Sequence, residues 1–125
     1  MDKPITLRRW ATFFLLLLFS ATVFSKEYLA FDAISFHDLP QEAQATLMLI
    51  KQDGPFPYAQ DAKVFGNYES KLPKQKRGYY HEYTVKTPRA KNRGARRIIA
   101  GGSAKFSGEY YYTDDHYESF RKIQE

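Results

Sequence analysis

A single helical stripe followed by several short aromatic runs is what most limits the fold open to this chain. Asp38-Leu39-Pro40 reads as a helix start, with Asp38 as the cap and Pro40 in the first turn. Ala43, Leu47 and Ile50 then recur at helical spacing as one apolar face, and Gly54-Pro55 stops the helix. Phe56-Pro57-Tyr58 is an extended connection, and after it the period changes. Residues 79–86, 96–100 and 108–113 are rich in aromatic and β-branched types, with Gly-, Pro- and Lys-rich turns between them. The segment Lys71 to Gly78 carries four basic residues and a proline, so it reads as a surface loop. One helix ahead of several sequential strands predicts an α+β domain. Its helix packs on an antiparallel sheet of about three to five strands.

The chain has 125 residues, the size of one domain. Residues 1–25 read as a secretory signal peptide. Lys3, Arg8 and Arg9 precede an almost wholly apolar run from Trp10 to Phe24, and Val23-Phe24-Ser25 supplies a cleavage point. That run is shorter than the roughly 20 residues of a membrane helix; an uncleaved anchor is the alternative reading. The mature domain is then 26–125, with residues 26–37 as a lead-in of unassigned structure, and its location is secreted, extracellular or periplasmic. It keeps all ten tyrosines and has no cysteine, so it must hold together by packing alone. The whole chain carries +5, and loss of Asp2, Lys3, Arg8 and Arg9 leaves +3. This permits an anionic partner such as RNA, although solvated lysines give the same sum.

Three kinds of chemistry-bearing group fall within some forty residues. Strand alternation puts Tyr80, Glu82 and Thr84 on one face and Tyr79, His81, Tyr83 and Val85 on the other. A carboxylate in such a strand needs a partner if it is buried. Glu82 is therefore either a general base beside cations or half of a structural ion pair. Arg93, Arg96 and Arg97 surround a glycine; alternation lets only one of Arg96 and Arg97 join Arg93. The planar fork of arginine suits phosphate oxygens, but a solvated basic turn has the same composition. His116 can return a proton near neutral pH or be a surface turn histidine. The three histidines show no metal-ligand spacing with carboxylates, and neither a phosphate-cradling glycine loop nor a G-x-S-x-G elbow is present. No metal and no cofactor is expected.

The segments Leu39-Pro40-Gln41-Glu42-Ala43, Gly54-Pro55-Phe56-Pro57-Tyr58 and Val64-Phe65-Gly66-Asn67-Tyr68-Glu69 precede Gly78 to Val85, Arg93 to Ile99 and Thr113 to Tyr117. In that order, from about Leu39 to Ile123, they closely resemble the microbial guanine-specific ribonucleases, the family of barnase, the Streptomyces ribonucleases and fungal ribonuclease T1. The resemblance is greatest to the bacterial branch. It implies a metal-independent endoribonuclease that cleaves single-stranded RNA after guanosine to a 2′,3′-cyclic phosphate, then hydrolyses this to a 3′-phosphate. It places Glu82 as general base, His116 as general acid, Arg93 and Arg97 at the phosphate and Tyr117 lining the phosphate site. Phe65 would pack under guanine, backbone N–H groups around Gly66 and Asn67 would meet O6, and Glu69 would accept from N1–H and the exocyclic amine. Single-stranded RNA, not DNA, is the implied partner of a monomer with no stable membrane association after cleavage. A small acidic barstar-like inhibitor protein is a further implied partner.

The sequence departs from that pattern in places. Tyr68 stands where the bacterial branch usually has arginine; fungal members have a tyrosine there, lying over the base. Ala62 and Arg89 stand where glycines are common. Because fold does not fix function, a non-catalytic RNA- or protein-binding module and a delivered ribonuclease toxin are the alternatives to the exported enzyme.

Overall fold

The computed structural model describes residues 31–125; the expected signal segment 1–25 lies outside the described residues, as do residues 26–30. Strand β1 (Asp32–Ser35) leads through a 3-10 turn (Phe36–Asp38) into helix α1 (Gln41–Gln52). Then come β2 (Lys63–Phe65), β3 (Tyr80–Thr84), β4 (Arg97–Gly101), β5 (Tyr110–Thr113) and β6 (Arg121–Gln124). The strands form one sheet in the order β1-β6-β5-β4-β3-β2. Every neighbouring pair is antiparallel except β1 with β6, which is parallel. The α+β reading holds, with six strands rather than three to five. Among the described residues no helix is long and apolar enough to cross a membrane.

The helix begins differently from expectation. Pro40, not Asp38, is the N-cap, and no side chain caps the first turn. Asp38 is taken up by the 3-10 turn, while the Pro40 carbonyl accepts from the N–H groups of Ala43 and Gln44. The apolar stripe does what its spacing requires. Ala43, Leu47 and Ile50 are buried against Tyr83, Val85, Ile98, Ala100, Tyr110, Tyr112 and Ile123 on one sheet face. The opposite face carries a second cluster of Leu72, Tyr80, Ile99, Tyr111 and Phe120. Tyr79 corrects the alternation argument: it lies just before β3 and packs with this second cluster rather than on the His81 side. Gly78, at φ +94°, turns the backbone there.

The buried tyrosines make the two clusters more than oily contacts. Tyr110 donates to the Ala104 carbonyl and Tyr80 to that of Pro73. Tyr79 and Tyr111 share the two oxygens of Glu109, at 2.6 and 2.8 Å. Each phenol thus buries its ring while its hydroxyl is satisfied, which lets aromatic residues staple a sheet that has no disulfide. The turn before β2 is clamped by Asp61, whose carboxylate accepts from the backbone N–H groups of Thr84 (2.7 Å) and Tyr58 (3.2 Å).

Ala62 and Arg89 adopt φ of +69° and +68°. Both positions thus take the left-handed conformation that favours glycine, at the cost of a Cβ. That conformation costs roughly 1–2 kcal/mol for an L residue, of which the greater freedom of glycine in the unfolded chain takes back about 0.4–1 kcal/mol. Ala62→Gly is expected to raise stability by up to about 1 kcal/mol in urea denaturation; a loss of stability would show that the Cβ has found useful packing.

Burial raises the pKa of Tyr80, Tyr83, Tyr110, Tyr111 and Tyr112, and the hydrogen bond to Glu109 raises that of Tyr79. Raised values mean that the fold binds these protons more tightly than the unfolded chain. The stabilisation is whole below pH of about 10 and is lost as pH climbs past it toward the folded-state values. Stability should therefore be level from neutrality to about pH 9 and fall steeply above about 10. Most of the tyrosinate absorbance should rise together with loss of near-ultraviolet dichroism, and ionisation of the majority of the tyrosines well before unfolding would contradict this.

Candidate functional site

The face of the sheet away from α1 carries the charged residues. Register places Thr84 opposite Arg97 and Arg97 opposite Thr113, with Glu82 opposite Ile99 in the adjacent row. The strand period therefore brings side chains from three strands together that are far apart in sequence. Glu82 is largely buried and lies 3.7 Å from Arg93 Nη2. Its other oxygen accepts a hydrogen bond from the Tyr117 hydroxyl. Burial, then this hydrogen bond to the carboxylate, raises the pKa of Tyr117 and keeps it a donor.

Arg93 is held from behind. Its Nε and Nη2 both donate to Thr84 Oγ1, at 3.1 and 2.7 Å. Thr84 in turn is fixed at its carbonyl by Thr46 of α1 and at its N–H by Asp61. This threonine was not singled out from the sequence: it looks like any β-branched strand residue until Arg93 is seen to lean on it. Arg97 is buried at 3 % exposure. Its Nη1 donates to the carbonyls of Gly94 and Arg96, while its Nε has no partner among the described residues. Gly94 allows this arrangement with φ +69°, and a Cβ there would meet Thr87 Oγ1 at 2.3 Å. Arg96 belongs to the other side, where its charge acts on Tyr112. His81 likewise points away from Glu82, on the face of Tyr83.

His116 and Tyr117 sit in a tight turn after β5, both in the left-handed region at φ +55° and +75°. Consecutive non-glycine residues there are strained and need external support. The support comes from Thr113 and Asp115. Thr113 Oγ1 donates to Asp115 (2.8 Å) and accepts from the Tyr117 N–H (3.1 Å). Asp115 also accepts from the hydroxyl and N–H of Ser119. The Ser119 hydroxyl bond is the main reason that the Asp115 carboxyl falls to about 2. The His116 N–H reaches across to the Ala95 carbonyl at 3.1 Å, tying this turn to the arginine segment.

The turn opens on a cleft of about 270 Å³ lined by Phe65, Asn67, Tyr68, Glu69, Lys71, His116, Tyr117 and Phe120. Aromatic rings form its wall: Phe65 and Tyr117 are 4.9 Å apart between centroids, and His116 and Tyr117 4.8 Å. Phe65, Asn67, Tyr68 and Glu69 thus line the same cleft as His116. Within it, Asn67 serves the loop itself, its side chain bonding both the N–H and the carbonyl of Leu72. The N–H groups of Asn67, Tyr68 and Glu69 have no acceptor among the described residues. The Glu69 carboxylate is exposed and pairs with Lys71 at 3.3 Å. Tyr68 is 82 % exposed, with its ring folded onto Gly66. Among the described residues no three His, Cys, Asp or Glu side chains gather as a cation site. The cleft itself offers an exposed imidazole, aromatic walls and free backbone donors at its rim. Tyr117 links it to the Glu82 carboxylate and through that to Arg93, while Arg97 stays buried behind them.

Comparison with known proteins agrees with this geometry. A family model described as ribonuclease matches residues 25–124. Guanyl-specific ribonuclease St of Saccharopolyspora erythraea is 54 % identical over 91 residues, 73 % of this chain and 86 % of that protein. Guanyl-specific ribonuclease Sa of Kitasatospora aureofaciens is 59 % identical over 87 residues, 70 % of this chain and 88 % of the relative. The structure of ribonuclease Sa2 in complexes with mononucleotides superposes with a TM-score of 0.72 at 45 % identity, covering 78 % of this chain and 97 % of that one. A second Sa2 structure, with guanosine-2′-cyclophosphate, gives 0.69 at 46 % identity over 76 % and 97 %. The family model spans the helix, the sheet and the cleft, and on it and these relatives the chain belongs to the microbial guanine-specific ribonuclease family.

Proposed function

We propose that this protein is an exported endoribonuclease that cuts single-stranded RNA after guanosine. The observation that supports this chemistry is the contact of Glu82 with Arg93 and with Tyr117, whose ring packs on His116 in the aromatic cleft, with Arg97 opposite Thr84 on the neighbouring strand. Glu82 takes the proton from the ribose 2′-OH, and the 2′ oxygen attacks the adjacent phosphorus. Arg93 and Arg97 neutralise charge on the non-bridging oxygens, while His116 gives its proton to the departing 5′ oxygen. The products are a 2′,3′-cyclic phosphate and a free 5′-hydroxyl. In the second step His116 takes a proton from water and Glu82 returns one to the 2′ oxygen, leaving a 3′-phosphate. Tyr117, which holds Glu82 in the free protein, can turn its hydroxyl to the phosphate once RNA is bound.

The base is read by the loop from Phe65 to Glu69. Glu69 accepts from guanine N1–H and the exocyclic amine, a donor pair that adenine lacks. The unengaged N–H groups of the loop face O6, and Phe65 supports the ring. The names of ribonucleases St and Sa support this guanine preference. To read the base, Glu69 must give up Lys71, an exposed pair worth about 1 kcal/mol or less. The complete proton-transfer set favours an enzyme over a binding-only module. The proposal includes a monomer that acts outside its producer, restrained before export by a small acidic barstar-like inhibitor. The exposed cations Lys74, Lys76 and Arg77 in the loop ahead of β3 give such a protein a complementary surface.

The direct test is digestion of a defined single-stranded RNA in EDTA with both ends mapped. Cuts after G with cyclic phosphate ends are expected, and a requirement for Mg²⁺ would refute the mechanism. Glu82→Gln and His116→Ala should each lower kcat by about 10²–10⁴ with the fold intact. Because one group must be ionised and the other protonated, kcat/KM should be bell-shaped in pH. A fully active Glu82→Gln would remove the carboxylate from the mechanism. Thr84→Val frees Arg93 from an acceptor worth roughly 1.5–3 kcal/mol. We expect kcat to fall about tenfold or more; unchanged turnover would mean that Arg93 is positioned without Thr84.

A further inference from the structure

The cleft has one side chain with little of its own to hold it. Tyr68 lies at the rim, and its ring is 82 % exposed. Two contacts nevertheless fix its position. The far edge of the ring rests on Gly66, where a Cβ would fall 2.4 Å from Cε2 and Cζ and 2.9 Å from the hydroxyl oxygen. No other residue at 66 would admit the ring there. The hydroxyl then accepts a hydrogen bond from Arg77 Nη1 at 2.8 Å. Arg77 belongs to the turn that feeds β3, closed by the Tyr79 N–H on the Lys76 carbonyl. The bond to Tyr68 is its only hydrogen bond among the described residues. An exposed arginine with no carboxylate partner among the described residues is thus spent on a tyrosine of the base-binding loop.

We propose that Arg77 is a positioning residue of the base cleft. Its guanidinium pins the Tyr68 ring against Gly66, so that the loop meets an incoming guanine with its aromatic cover already placed. The pin also returns a positive charge to the rim at the place where Tyr68 stands instead of an arginine. An unpinned tyrosine must be immobilised when the base arrives, and that ordering costs affinity. The effect therefore belongs to binding of the base and not to proton transfer at Glu82 and His116. This inference rests on reading the Phe65–Glu69 cleft as the guanine site.

The test uses Arg77→Ala, Arg77→Lys, Tyr68→Phe and the double variant that combines Arg77→Ala with Tyr68→Phe. Affinity for guanosine 3′-phosphate is measured by calorimetry, and kcat and KM are measured on a guanosine-containing dinucleotide. Arg77→Ala should weaken binding and raise KM by about 3–10-fold, the range of a partly exposed charge-assisted hydrogen bond. Its kcat and melting temperature should stay unchanged. Arg77→Lys should recover most of the loss, since an ammonium can also donate to the hydroxyl. Tyr68→Phe should reproduce the loss, and the double variant should be no weaker than Arg77→Ala alone. Affinity and KM within twofold of the parent for Arg77→Ala would overturn the inference, as would a fall in kcat at constant KM. A silent Tyr68→Phe beside a weakened Arg77→Ala would also overturn it, by showing that arginine meets the substrate directly. A parent protein that binds adenosine and guanosine 3′-phosphates equally would instead defeat the cleft assignment. A selective parent with an indifferent Arg77→Ala would defeat the pin alone.

Discussion

Glu82 is a largely buried carboxylate set inside a five-residue strand, and the site is organised around keeping that charge satisfied. Two partners do it from opposite directions: Arg93 from the loop before β4 and Tyr117 from the turn after β5. Each partner is then fixed by something else. Thr84 holds Arg93 and is itself tied to α1 and to the Asp61 turn. Thr113 and Asp115 hold the strained backbone that aims His116 and Tyr117. A buried carboxylate without partners would cost several kcal/mol, so the network that satisfies Glu82 also places the groups that act with it. The same interactions serve stability and function.

The division of labour between the two sheet faces follows from this. One face meets α1 with aliphatic and aromatic side chains and supplies the core. The other mixes aromatic packing with charge, and its tyrosines carry hydroxyls that reach backbone carbonyls or carboxylates. An apolar face alone could not hold two guanidiniums and a carboxylate. A wholly polar one could not exclude water from the site, and low polarity strengthens electrostatic interactions. With no cysteine to cross-link it, the domain depends on this dense aromatic packing.

Much of this was legible along the chain. The α1 stripe, strands β3 to β5 and the opposite orientations of Arg96 and Arg97 all follow from periodicity. The missed strands β1, β2 and β6 are three or four residues long. Arg121-Lys122-Ile123-Gln124 has one apolar side chain and no alternation to read. β1 exists because it pairs with β6 across nearly the whole described chain, a non-local event with no local signature, while β6 is held between β1 and β5. The helix cap failed for a related reason: Asp38 had the right chemistry, but the 3-10 turn leading from β1 claimed it first.

The sequence by itself determined the residue chemistry: which side chains could move protons, hold phosphate or form a core, and, through the helix and strand periods, which of them share a face. Tertiary structure alone decided which of these groups meet. Thr84 became the support of Arg93, Asn67 became a loop brace, and Tyr68 found Arg77 nine residues along. Those outcomes depend on sheet register and loop closure, which bring distant residues within about 3 Å. A hydrogen bond at that range has no trace in sequence spacing.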